Sequence, residues 1–195
     1  MKMREFWSKN GRSVLKLYIN QIAMSVFGLM VIGASGAREG YLLLLAASLV
    51  SVGLYLFIIY SMMWEAGAKA AAKTLRAEDA GVKKTETPFL IVLFGSAVNI
   101  ILYVVYTAAK LTDTPSVGGL MEIFIKMTNS IYMGFEAILY TENVIMRTPP
   151  YYHFLTLLPL FIVGMAAYYL GASEISIMRK LGFKPKHKPT YKIKK

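Results

Sequence analysis

The sequence contains no cysteine and only two histidines, His153 and His187. The absence of cysteine excludes disulfides, thiolate metal ligands and cysteine nucleophiles. The two histidines lie far apart in the chain and lack a paired spacing such as His-Glu-x-x-His, so no histidine-based metal site is expected. We therefore expect no catalytic residue, no cofactor and no bound metal.

Acidic residues are also scarce, with 11 Asp and Glu against 22 Lys and Arg, which gives a formal charge of +11. The basic residues are concentrated in short segments between apolar runs, a pattern typical of the cytoplasmic loops of membrane proteins. A nucleic-acid partner is not expected, because the basic C-terminal segment offers only Phe183 and Tyr191 for stacking on bases.

What the sequence has in abundance is apolar residues, at 56% of the chain with a mean hydropathy of +0.49. Runs of about 20 apolar residues are long enough to cross the hydrocarbon core as helices. Four such runs predict transmembrane spans at 14–33, 41–64, 89–109 and 151–172. The predicted fold is an all-α, polytopic integral membrane helical bundle that occupies residues 1–172.

The segments that flank these spans are basic. Residues 65–87 are predicted to form a cytoplasmic helical loop, and residues 173–195 a basic cytoplasmic tail. The first run also resembles a cleaved signal peptide, because basic residues precede it. Lys16, Asn20 and Gln21 interrupt that run, however, and this favours a retained span. With the first span retained, we expect a multi-pass cell-membrane protein whose N- and C-termini both lie in the cytoplasm.

Residues 120–146 decide the number of spans, because one face of this segment is polar. The predicted external amphipathic helix carries its polar residues at spacings of three, four and seven: Glu122, Lys126, Asn129, Glu136 and Asn143. A buried charge costs roughly 3 kcal/mol in a span, while each large apolar residue returns only about 0.5 kcal/mol. The segment is therefore expected to lie at the outer interface or to re-enter without crossing.

The alternative is a fifth span. It would place the basic tail on the side opposite the basic N-terminus, which breaks the positive-inside rule where the charge is greatest. Four transmembrane helices plus one amphipathic helix are therefore the prediction, and five transmembrane helices the alternative.

Several polar residues fall inside the predicted spans and are expected to face protein rather than lipid. The candidates within the bundle are Asn20, Gln21, Ser96, Asn99 and Tyr103. They are interpreted either as interhelical hydrogen-bonding groups or as the lining of a polar route for a solute or ion. Small residues such as Gly164 and Gly171 lie seven apart and predict a close helix contact, within the chain or between copies.

Two surfaces are candidates for partners. The stripe at Glu122, Lys126, Asn129, Glu136 and Asn143 is expected to face outward, where it could bind a protein, cover the bundle or contact water. The tail is expected to contact anionic lipid headgroups, in addition to the bilayer itself, through Arg179, Lys180, Lys184, Lys186 and Lys188.

These patterns favour a small non-enzymatic membrane protein, an accessory or scaffold subunit that assembles with itself or with another membrane protein. The alternative is a small transporter or channel with a polar path between its helices. An intramembrane enzyme is the third hypothesis. Acid–base chemistry requires titratable groups that converge in a cavity, and the sequence shows no motif that predicts such a convergence.

Overall fold

The computed structural model describes residues 3–35, 41–76, 86–139 and 149–173. In these ranges the chain is helical throughout, which confirms the all-α prediction. The elements are α1 (Met3–Ser35), α2 (Tyr41–Arg76), α3 (Glu86–Gly95), α4 (Ala97–Leu111), α5 (Pro115–Thr128), a 3-10 turn (Ser130–Tyr132), α6 (Met133–Leu139), α7 (Pro150–Leu155) and α8 (Leu158–Ala172).

Within the described ranges, three stretches are long and apolar enough to cross a membrane: Met3–Val31, Leu42–Ala72 and Pro150–Ala172. They contain most of the predicted spans 14–33, 41–64 and 151–172. The predicted helical loop after the second span is a continuation of α2 as far as Arg76, and residues 77–85 lie outside the described residues.

The predicted span 89–109 is a bent pair, because α3 and α4 meet at 63°. The bend falls at Gly95-Ser96, and Gly/Ser pairs are a recognised cause of sharp helix kinks. The Ser96 hydroxyl is buried and donates a hydrogen bond back to the Val92 carbonyl. Gly95 lies directly against the Leu17 side chain, where a β-carbon would overlap it. Close packing of α3 on α1 therefore depends on this glycine.

α1 runs antiparallel to α2, whereas α8 runs parallel to α2. Asn20 of α1 meets Met62 of α2, and Lys16, one turn earlier, lies near Glu65, further along α2. Gly164 of α8 lies against Met63 of α2, and Gly171, further along α8, lies against Trp64. One end of the bundle, called the Met3 end, therefore holds the start of α1 and the end of α8. The other, called the Leu111 end, holds the end of α4 and the start of α2.

Two glycines set the closest helix contact, between α2 and α8. A β-carbon on Gly67 would overlap the Tyr168 carbonyl, and one on Gly171 would overlap the Trp64 carbonyl. Gly164 is buried in the same seam, against Val92 and Met63. The predicted small-residue contact is thus found within the chain, where backbones approach closely enough for dispersion to hold two apolar helices together.

Residues 115–139 form a hairpin that enters and leaves the bundle at the Leu111 end. Going down α5, Glu122 meets Tyr106 and Asn129 meets Tyr103, so α5 runs antiparallel to α4. The 3-10 turn reverses the chain, and Gly134 of α6 then bonds to Ser48, close to the start of α2. This segment, Pro115–Leu139, is called the hairpin below, and residues 129–132 are its tip.

The close helix seam generates a stability prediction. We expect Gly171→Ala to lower the stability of the fold by about 1–3 kcal/mol, because overpacking forces packed backbones apart. Thermal unfolding of the purified protein in detergent measures the effect. Gly53→Ala is the matched control, since a β-carbon there meets nothing within 4 Å and α2 is helical around it. An equal loss for both variants would contradict the proposed role of the seam.

Candidate functional site

A charged centre lies inside the bundle on the hairpin, formed by Glu122, Lys126 and Glu136. Lys126 Nζ is 3.1 Å from Glu122 Oε1 and 3.8 Å from Glu136 Oε1. Glu122 and Glu136 are both 4% exposed. The i, i+4 spacing on α5 aligns the first pair, and the chain reversal at the tip brings the second carboxylate to the same ammonium group. One buried ammonium group is thus shared between two buried carboxylates.

Aromatic rings from α4 and α7 cover this centre. The Tyr106 hydroxyl donates to Glu122 Oε2 at 3.3 Å, and the ammonium of Lys110 lies 5.4 Å from the centroid of the Tyr106 ring. His153 packs edge-on against Tyr106 and is 1% exposed. Its Nε2 has no hydrogen-bond partner among the described residues. A buried polar nitrogen of this kind calls for a water molecule, an ion or a functional role to account for it.

A hydrogen-bonded polar network lies one turn deeper, at the hairpin tip. Asn129 Nδ2 donates to the Tyr103 hydroxyl and, at 3.4 Å, to Thr156 Oγ1. The two hydroxyls are themselves 3.4 Å apart, so α4, the tip and the α7–α8 junction meet at one point. On the other side of the tip, Ser25 of α1 donates to the Thr128 carbonyl at 2.5 Å. These bonds fix the tip at mid-bundle depth.

A small polar cavity of about 20 Å³ adjoins this network. Its walls include Gln21, Tyr55, Asn99 and Tyr132. Gln21 Nε2 and the Tyr132 hydroxyl are buried without a hydrogen-bond partner among the described residues. This volume accommodates about one water molecule, whose hydrogen bonds could satisfy both groups. The cavity is therefore too small for a metabolite in this conformation.

Towards the Met3 end the bundle is closed by apolar side chains. The fully buried residues at this level come from four helices: Leu17, Ile59, Met63, Ile91, Val92 and Leu160. The charged centre and the hydrogen-bonded network thus lie towards the Leu111 end, and a layer of packed aliphatic side chains separates them from the Met3 end.

The predicted residues within the bundle are brought together only in part. Gln21 and Asn99 line the cavity, and Tyr103 belongs to the adjoining network. Ser96 instead bonds to its own helix at the bend, and Asn20 Nδ2 lies 3.7 Å from Met62 Sδ. Gln21, Asn99 and Tyr103 therefore fit the interpretation as the lining of a polar route. Ser96 and Asn20 fit the interpretation as groups that hold helices together or shape them.

The prediction that the polar stripe of residues 120–146 faces outward is wrong. Glu122, Asn129 and Glu136 are buried, and the Lys126 side chain is only 13% exposed. The outward face of α5 is apolar instead, with Leu120, Ile123 and Met127 about half exposed. The helix is amphipathic as expected, but its polar face points into the protein. The fifth member of the stripe, Asn143, lies outside the described residues.

The other predicted surface, at Arg179, Lys180, Lys184, Lys186 and Lys188, also lies outside the described residues. The spacing of polar residues on the third predicted span places Tyr106 on the same face as Asn99 and Tyr103, and the structure keeps it there. Sequence reasoning did not select two other members of the site, His153 and Thr156. His153 and Thr156 carry no such signal, because their neighbours come from a helix distant in sequence.

The chain matches no protein-family model, no curated protein and no solved structure. No relative therefore suggests an activity or a binding partner. The functional inference rests on the charged centre, the polar network and the cavity.

The burial of the charged centre gives a second stability prediction. We expect Lys126→Met to destabilise the protein by about 3–5 kcal/mol, because two buried carboxylates lose their counter-charge. Lys9→Met is the control, since Lys9 and Glu5 form an ion pair of the same i, i+4 spacing with side chains 60% and 42% exposed. We expect a change below about 1 kcal/mol there. Denaturant unfolding in detergent compares the two, and equal effects would show that the centre is solvated.

Proposed function

We propose that this protein is a small membrane transporter or channel for protons or monovalent inorganic cations, and that the charged centre on the hairpin is the part that handles the positive charge. The observation that carries this proposal is the burial of Glu122, Lys126 and Glu136 together inside an apolar helical bundle. Ionisable groups at membrane depth are costly and commonly belong to ion or proton pathways.

The charge balance of the centre favours a cationic cargo. Carboxylates outnumber ammonium groups two to one among Glu122, Lys126 and Glu136, and buried carboxylates of this kind are suited to take up a proton or to contact a monovalent cation. The adjoining network supplies hydroxyl and amide groups from Tyr103, Asn129 and Thr156 along the way to the cavity.

Broken helices and hairpins that do not cross the bilayer also support a transport role. Irregular backbone at membrane depth is tolerated where protein groups or the water in a cavity form hydrogen bonds with its N–H and C=O groups. In many transporters, discontinuous helices of this kind bind the transported ion. Here the hairpin tip and the bend at Gly95-Ser96 lie on either side of the Asn99 level. The conformation described is closed, so permeation requires movement of the aliphatic layer near Val92.

We also propose four spans, with the bent pair α3–α4 as the third and with the hairpin re-entering at the outer leaflet. Both the start of α1 and the end of α8 lie at the Met3 end, which supports cytoplasmic N- and C-termini. The outward apolar face of α5 fits contact with lipid at that depth.

An accessory or scaffold role is the second candidate, again without catalysis. The water-sized cavity and the hydrogen bonds between α1, α4 and the hairpin favour it, because cohesion alone could account for these polar groups. A partner could then be a second copy or another membrane protein that packs on the apolar outer faces. An intramembrane enzyme ranks below both candidates.

Topology reporters test the proposed arrangement in cells. We expect a reporter fused after Lys195 to be cytoplasmic and one inserted near Asp113 to be external. Paired reporters that are active on opposite sides of the membrane measure this directly. A C-terminus outside the cell would contradict four spans.

Proton flux into sealed proteoliposomes tests the proposed activity. We expect the protein to dissipate an imposed pH gradient faster than protein-free vesicles, with valinomycin present to balance charge. Glu136→Gln should slow the flux by about tenfold or more, the change that an extra barrier of about 1.4 kcal/mol gives. Parallel assays with sodium and potassium gradients identify an alkali cation as cargo.

Glu5→Gln is the matched control, because it removes one carboxylate from an exposed pair at the Met3 end. Gel filtration and thermal unfolding of each variant separate loss of function from loss of fold, and Glu136→Asp, which keeps the charge, should retain part of the flux. Wild-type vesicles that are as impermeable as protein-free vesicles to protons, sodium and potassium would refute the proposal and leave the scaffold role.

A further inference from the structure

A second cluster of charges lies at the opposite end of the bundle, where α1 and α2 pack together. Lys69 of α2 pairs with Glu65 at 2.5 Å, and the charge of Lys16 on α1 also acts on the Glu65 carboxylate. Asn20, one turn beyond Lys16, faces Met62 of α2. This places Lys16 on the side of α1 that approaches α2.

The cluster is basic and accessible. Arg12 precedes Lys16 by one helical turn, and both are exposed. Lys69 and Glu65 have side chains 64% and 53% exposed. Arg12, Lys16, Lys69 and Glu65 therefore lie along the sides of α1 and α2 that approach each other, called the α1–α2 groove. These four side chains carry a formal charge of +2.

Apolar surface begins immediately beside these charges. Leu15 and Ile19 of α1 are more than half exposed, and they lie next to Lys16 along the helix. Trp7 is 45% exposed and packs on Phe94, 5.3 Å between ring centroids. Indole rings and snorkelling lysines are typical of the level at which lipid headgroups meet acyl chains.

We propose that the α1–α2 groove binds the headgroup of an anionic phospholipid, with its phosphate against Arg12, Lys16 and Lys69 and an acyl chain along Ile19. Basic pockets between transmembrane helices are suited to such headgroups. Charge complementarity and the adjacent apolar strip identify a lipid as the occupant rather than a soluble anion. The site is independent of the charged centre and of any transport activity.

Native mass spectrometry of the full-length protein in detergent tests this with phosphatidylglycerol and phosphatidylcholine. We expect the wild-type protein to retain phosphatidylglycerol in preference to phosphatidylcholine. In Arg12→Gln/Lys16→Gln the affinity for phosphatidylglycerol should fall by roughly fivefold for each charge removed, because a lysine or arginine near anionic lipid contributes about that factor. Arg4→Gln/Lys110→Gln is the control, because it removes the same number of exposed positive charges outside the groove: Arg4 lies on a different face of α1, and Lys110 lies on α4 at the Leu111 end. It should retain most of the preference.

Glu65→Gln provides an opposite-signed test. It removes the negative charge that competes with a phosphate for Lys16 and Lys69, so phosphatidylglycerol retention should rise. Inorganic phosphate at millimolar concentration should not displace the lipid, whereas displacement would indicate a soluble-anion site. Equal losses in the two double variants, or no gain in Glu65→Gln, would refute a specific site in this groove.

Discussion

The structure depends on one constraint: the polar face of the hairpin is packed against other helices, while the outer surface of the bundle is largely apolar. Lys126 sits between Glu122 and Glu136, and this arrangement requires the chain to reverse at the tip so that both carboxylates reach one ammonium group. The tip hydrogen bonds to Tyr103 and Ser25 follow from the same burial, since polar groups at that depth need protein partners. The outward apolar face of α5 is the complement of this inward polar face.

Close packing elsewhere makes room for the hairpin. The seam of Gly67 and Gly171 draws α2 and α8 together at the Met3 end, while the bend at Gly95-Ser96 redirects α4 away from the path of α3. Gly134 then permits α6 to approach the Leu44 carbonyl of α2. The small residues thus separate a tightly packed apolar half from a half that holds polar groups, and the proposed ion pathway lies in the latter.

Much of the candidate site could be predicted from the helical spacing of polar residues in the sequence. The spacing of Glu122, Lys126, Asn129 and Glu136 predicts one shared face, and the structure keeps them together. Gln21 and Asn99 were selected because polar residues in spans face protein, and both line the cavity. His153 and Thr156 could not be selected in this way, because their surroundings come from segments far away in sequence.

The sequence by itself determined the all-helical class, the positions of the long apolar stretches and which polar residues share a helix face. Only the tertiary structure decided the direction of that face on α5. A helical repeat of polar residues fits water outside and protein inside equally well, because periodicity identifies a face but not the medium that it contacts. The inward direction is possible because a counter-charge is available there, and the reversal of the chain at Asn129–Tyr132 brings Glu136 to Lys126.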